Sequence, residues 1–173
     1  MSKNIYGKKE SGFTLIELLI VIAIVAILSA VVFVALDPLT RFRDARDSRR
    51  WSDATSVINA IKVDQVDNGG NYLASIASTT AGSVYMITDG TVTAGCDGQN
   101  TYCDINVTGA AYCVDLSGLV SEGYLGGVPT SPNGSGTWTA STTGYTLQRA
   151  SSGIITIRAC EYENSTDEIS ISR

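Results

Sequence analysis

Apolar and polar positions follow three different rules along this chain. From Phe13 to Leu36 the residues are apolar apart from Thr14, Glu17 and Ser29, and no polar stripe recurs. A helix over this run, rising 1.5 Å per residue, spans roughly 36 Å and so crosses a bilayer core of about 30 Å. Being apolar on every side, it is expected among lipid or other helices, not on a soluble surface. Farther on, Trp51, Ala54, Ile58 and Ile61 recur at spacings of three and four, which predicts an amphipathic helix with one apolar stripe. Asn68-Gly69-Gly70-Asn71 stops it. Between the two helices stands Pro38, which removes the hydrogen bond to the carbonyl of Val34. A kink or local melting is expected there, or a clean helix end at Asp37-Pro38; either break falls near the outer membrane boundary.

Residues 72–173 follow the third rule. Val84-Tyr85-Met86-Ile87, Tyr145-Thr146-Leu147 and Ile154-Ile155-Thr156-Ile157 are short β-like runs separated by Gly, Ser, Asn and Asp. An antiparallel sheet is expected, with Ser151-Ser152-Gly153 as a hairpin turn. Leu116 to Glu122 is expected as a short helix ended by Gly123. The fold class is therefore α+β, with a long N-terminal helix packed on a small antiparallel sheet domain.

Composition narrows the function. Charged residues make up 17% of the 173, the net charge is −5, and the isoelectric point lies near 4.6. That balance argues against nucleic acid as a partner, which normally needs a basic domain or stripe. Asp44 and Asp47 weaken the field of the Arg41–Arg50 cluster as well. Histidine is absent, which removes the commonest general base and metal ligand. No nucleophile has a base beside it and the acids are not paired, so no catalytic residue is assigned and an enzyme is not expected. Asp64-Gln65-Val66-Asp67-Asn68-Gly69 lacks the bidentate Glu of a calcium loop and reads as a helix terminus. No cofactor is expected.

The four cysteines, Cys96, Cys103, Cys113 and Cys160, form no C-x-x-C pair. They read as two disulfides in an oxidising compartment. Three pairings exist; Cys96 with Cys103 and Cys113 with Cys160 is the favoured one, and free structural cysteines are the alternative. Arginine counting conflicts with this placement of the C-terminal part. Arg41, Arg43, Arg46, Arg49 and Arg50 outnumber Lys3, Lys8 and Lys9, so simple positive-inside counting puts the N-terminus outside. The cysteines and the long Ser/Thr-rich tail favour a cytoplasmic N-terminus.

Glu17 needs a reason to exist, because a carboxylate in a spanning helix costs several kcal/mol unless it finds a partner or loses its charge. A secretory signal peptide explains neither this acid nor an apolar run beyond the usual 7 to 15 residues. The segment Lys8-Lys9-Glu10-Ser11-Gly12-Phe13-Thr14-Leu15-Ile16-Glu17-Leu18-Leu19-Ile20-Val21-Ile22 resembles the processing signature of type IV pilins and type II secretion pseudopilins. The resemblance joins a short basic leader, a glycine, an aromatic, and an acid four residues beyond it. It implies the pilin fold, cleavage after Gly12 by a prepilin peptidase, and N-methylation of Phe13 by the same type of enzyme. It also implies an inner-membrane assembly platform with its ATPase, and contact with membrane lipid before assembly.

On this reading residues 1–12 are a cleaved leader and 13–36 the transmembrane and assembly helix. Residues 37–70 continue it as an extracytoplasmic amphipathic helix, and 71–173 form a β-rich head. Phe13 and Glu17 are the expected assembly residues, the Glu17 carboxylate of one subunit meeting the Phe13 amine of the preceding one. The expected product is a filament of this chain, alone or mixed with other pilins. A single-span surface protein, an adhesin or DNA receptor that never polymerises, is the alternative. Leu119 to Pro132 is similar to a segment of many pseudopilins. Some relatives bind calcium in the loops beyond it, but no matching carboxylate cluster follows here.

Overall fold

The computed structural model describes residues 12–173. They belong to two compact units, one ending at Leu39 and the other running Thr40–Arg173. The first is dominated by helix α1, Leu15–Leu36, none of whose residues is buried. This helix is long and apolar enough to cross a membrane. Its helical path is interrupted at Asp37, whose backbone is left-handed at φ 35°. Pro38 opens helix α2, Pro38–Asp67. Proline is tolerated at a first helical position because its missing N–H would have no partner there.

The second unit is built on a five-stranded sheet in the order β2-β1-β3-β4-β5. Its strands are β1 Val84–Thr88, β2 Cys113–Asp115, β3 Tyr145–Arg149, β4 Ile155–Ala159 and β5 Ser170–Ser172. Two short helices, α3 Ala74–Ala77 and α4 Ser117–Ser121, complete it, and the layout is the α+β arrangement expected. The β3–β4 hairpin closes at Gly153, where φ is 86° and the Gly153 N–H donates to the Ala150 carbonyl at 3.0 Å. β1 pairs with β3, β3 with β4 and β4 with β5, all antiparallel. The pairing of β1 with β2 departs from the expectation, because it is parallel, with Met86 opposite Cys113. A connection running from residue 89 to residue 112 lies between these strands, long enough to return the chain to the same end of the sheet.

Ala54, Val57, Ile58, Ala60 and Ile61 of α2 form a core with Ile87, Val114, Tyr145, Leu147, Ile155 and Ile157 of the sheet. Met86, Cys96, Cys103, Val107, Trp138 and Cys160 form a second cluster. β1 serves both, Tyr85 and Ile87 joining the first and Met86 the second, as the alternation of a strand requires. All five residues of β1 are buried, and the four from Val84 to Ile87 form an unbroken apolar run. Trp51 is a correction to the helical stripe: it is exposed, and the face it was expected to occupy belongs to Asp47 and Arg50. The helix ends at Asp67. The buried Asp64 carboxylate accepts from Asn68 Nδ2 at 2.7 Å and from the Leu73 N–H at 3.1 Å.

Candidate processing and assembly site

Thr14 is the N-cap of α1, with extended backbone at φ −81° and ψ 154°. Its Oγ1 accepts from the Glu17 N–H at 3.3 Å. In return the Glu17 Oε2 accepts from the Thr14 N–H and from the Thr14 hydroxyl, both at 2.8 Å. This reciprocal capping box satisfies donors that the first turn of any helix leaves without partners. Both bonds fall on one oxygen, and among the described residues Glu17 Oε1 accepts none. Phe13 stands just before the cap and is 90% exposed. Gly12 precedes it in open space, where an added Cβ meets nothing within 4 Å. The fold therefore leaves room for a side chain at Gly12, so any requirement for glycine there comes from whatever acts on it.

The arginines beyond the apolar helix separate into two groups. Arg50 is fully buried, at 0% exposure. Its Nη1 donates to Asp47 Oδ1 at 2.7 Å and to Glu163 Oε1 at 3.0 Å. Nε donates to Ser131 Oγ at 3.1 Å and Nη2 to the Pro132 carbonyl at 2.9 Å, with Glu161 Oε2 at 3.5 Å. Arg46 grips Glu163 in a two-pronged contact. Asp47 accepts from the backbone N–H groups of Glu163, Asn164 and Ser165 at 3.0, 2.8 and 3.0 Å. Arg49 is exposed and lies 3.7 Å from Asp53. Arg41 and Arg43 are exposed, and no hydrogen bond or ion pair among the described residues engages either.

Arg46, Asp47 and Arg50 thus fasten α2 to residues 161–165. Spacing was the available signal. Asp47, Arg50, Ala54, Val57 and Ile61 recur at three, four, three and four residues, so the two charges continue the buried stripe.

Both disulfides form, but not in the favoured pairing. Cys96 bonds Cys113 and Cys103 bonds Cys160. Neighbourhood in the sheet, not in sequence, decides this. The Cys96 N–H donates to the Ala110 carbonyl at 3.1 Å, which lays Cys96 beside the approach to β2. The turn Asn100–Tyr102 then carries Cys103 away to Cys160, the residue that follows β4.

Among the described residues no group of three or more Cys, Asp or Glu side chains is arranged to hold a metal ion. No curated protein and no solved structure matches the chain. Residues 7–33 do match the family model of the prokaryotic N-terminal methylation motif. That match covers the glycine, the aromatic, the capping box and most of α1, so the chain carries the prepilin signature of type IV pilins and pseudopilins.

Proposed function

We propose that the protein is a structural subunit that polymerises through α1 into a type IV pilus-like filament serving adhesion, motility, DNA uptake or secretion. The observation that carries this reading is the methylation motif sitting on a helix with no buried residue. So much bare apolar surface is stable only in lipid or against other apolar helices. Before assembly the helix anchors the subunit in the cytoplasmic membrane, N-terminus inside and head outside. Afterwards the subunit lies in an extracellular or periplasmic filament. The partners are other pilin copies, a prepilin peptidase that cleaves after Gly12 and methylates Phe13, and an assembly platform with its ATPase. No catalytic role is assigned to the chain.

Glu17 supports the assembly step through its geometry. In the unprocessed chain Thr14 occupies Oε2 and keeps the carboxylate hydrogen-bonded inside an apolar segment. Cleavage after Gly12 creates an amine at Phe13 that is cationic near neutral pH. Oε1 remains to accept from that amine on a neighbouring subunit, which would fix the axial register, since a misplaced helix leaves both charges unpaired. Electron microscopy and mass spectrometry of surface-sheared material test this. Filaments whose subunits start at methylated Phe13 are expected, with none from Glu17→Val despite normal membrane insertion and processing. Finding only full-length monomer in membranes would refute the filament reading, and a normal filament yield from Glu17→Val would refute the role of the acid.

A further inference from the structure

We infer that the turn Arg41-Phe42-Arg43 is an interfacial anchor that binds anionic phospholipid headgroups beside the membrane end of α1; the inference rests on the membrane reading above. Arg41 follows Leu36 by five residues, so whatever path the backbone takes at Asp37, it lies within about 18 Å of the end of the apolar helix. That reach takes in the polar layer of the bilayer, which is about 5–8 Å deep on each side of the hydrocarbon core. Within the turn, successive side chains are about 100° apart around the helix, which sets a cation on each side of Phe42. Phe42 is 63% exposed although it is aromatic. An apolar wedge between two cations is the side-chain pattern of a segment lying at the headgroup level.

The neighbouring charges make the two cations available. Arg46 and Arg50 are committed to Glu163 and Asp47, Arg50 wholly buried and Arg46 about one-third exposed. Arg49 has Asp53. Asp44 accepts from the Asn164 side chain, so it too is turned to the head. Arg41 and Arg43 alone among these five arginines have no carboxylate partner among the described residues. Their guanidinium forks suit phosphate oxygens, which accept in a two-pronged way. Each cation near an anionic surface is worth roughly a fivefold preference.

The test uses the full chain reconstituted into mixed phosphatidylcholine and phosphatidylglycerol vesicles, with spin-labelled forms of the two lipids as probes of the first lipid shell. Wild type is expected to favour the phosphatidylglycerol probe. Arg41→Gln/Arg43→Gln should lower that preference several-fold, and the difference should shrink at high salt. Arg41→Lys/Arg43→Lys, which keeps the charge, should retain most of it. The N-terminal lysines are common to all variants and drop out of the comparison. Equal preference in wild type and the Gln variant overturns the inference while leaving the membrane reading intact. So does a Gln variant that loses cross-links between copies with unchanged lipid preference, since it assigns these arginines to a second subunit. Wild-type chain that carbonate washes off the vesicles sinks the membrane reading and the inference together.

Discussion

Arg50 bonds Asp47 of its own helix and joins α2 to Ser131, Pro132 and Glu163 through one guanidinium with no solvent contact. Removing one partner of such a buried set strands the opposite charges, a loss of about 3–5 kcal/mol. Arg50→Ala is therefore expected to lower the head's stability by that order, as read from the denaturant midpoint of the detergent-solubilised chain. Arg50→Lys should recover only part, because a single ammonium cannot replace a planar fork with five donors. The surrounding acids add a pH dependence. Burial alone would raise the Asp47 carboxyl, but hydrogen bonds from the backbone of Asn164, Glu163 and Ser165 and from Arg50 outweigh it and hold it below 3.8. Glu163 is held below 4.5 chiefly by Arg46, against burial, with help from Arg50. Both groups bind protons more readily in the unfolded chain, so their stabilisation is complete above about pH 4.5. It is lost progressively as pH falls through the depressed folded values. The denaturant midpoint should hold from pH 7 to 5 and drop below pH 4, and Glu163→Gln should make that drop shallower.

Elements differed in how plainly the sequence announced them. α1 was legible from hydropathy alone, and β1, β3 and β4 from runs of Val, Ile, Tyr and Thr, because burial demands those residue types. β2 and β5 were not, since Cys113–Asp115 and Ser170–Ser172 are three-residue strands whose place is set by their neighbours. The buried charges of α2 escaped for a related reason. A polar residue is buried only when distant partners satisfy it, and the partners of Arg46 and Asp47 lie more than a hundred residues away. Disulfide pairing was illegible on the same grounds. The structure makes it definite: a non-reducing digest should link the Cys96 peptide to that of Cys113 and the Cys103 peptide to that of Cys160. Loops of 17 and 57 residues closed by these bonds correspond to ~3 and ~4 kcal/mol of restricted unfolded-chain freedom. Reduction should therefore shift the denaturation midpoint markedly, and a Cys103→Ser/Cys160→Ser variant should lose more than a Cys96→Ser/Cys113→Ser variant.

For the molecule as a whole, the division after Leu39 means that Thr40–Arg173 holds both buried clusters, both disulfides and the whole ion network. α1 buries no residue of its own. The segment 40–173 is accordingly expected to be a folded, oxidised monomer without detergent, while the full chain requires detergent or lipid. Gel filtration of the two, with free-thiol titration, checks this. An aggregated or reduced 40–173 segment would show that the head depends on α1.

The clasp between α2 and residues 161–165 also orders events in time. Asp47 and Arg50 face each other within α2, but Arg46, Asp47 and Arg50 leave the ribosome more than a hundred residues before their partners in residues 163–165. Until that late segment arrives, the head holds charges at what will become a dry face. The clasp cannot close until residues 161–165 have been made, so it forms late in synthesis. A chain cut short of Glu161 retains α2 and four of the five strands but lacks the clasp, so it is expected to be digested faster than the full chain in limited proteolysis.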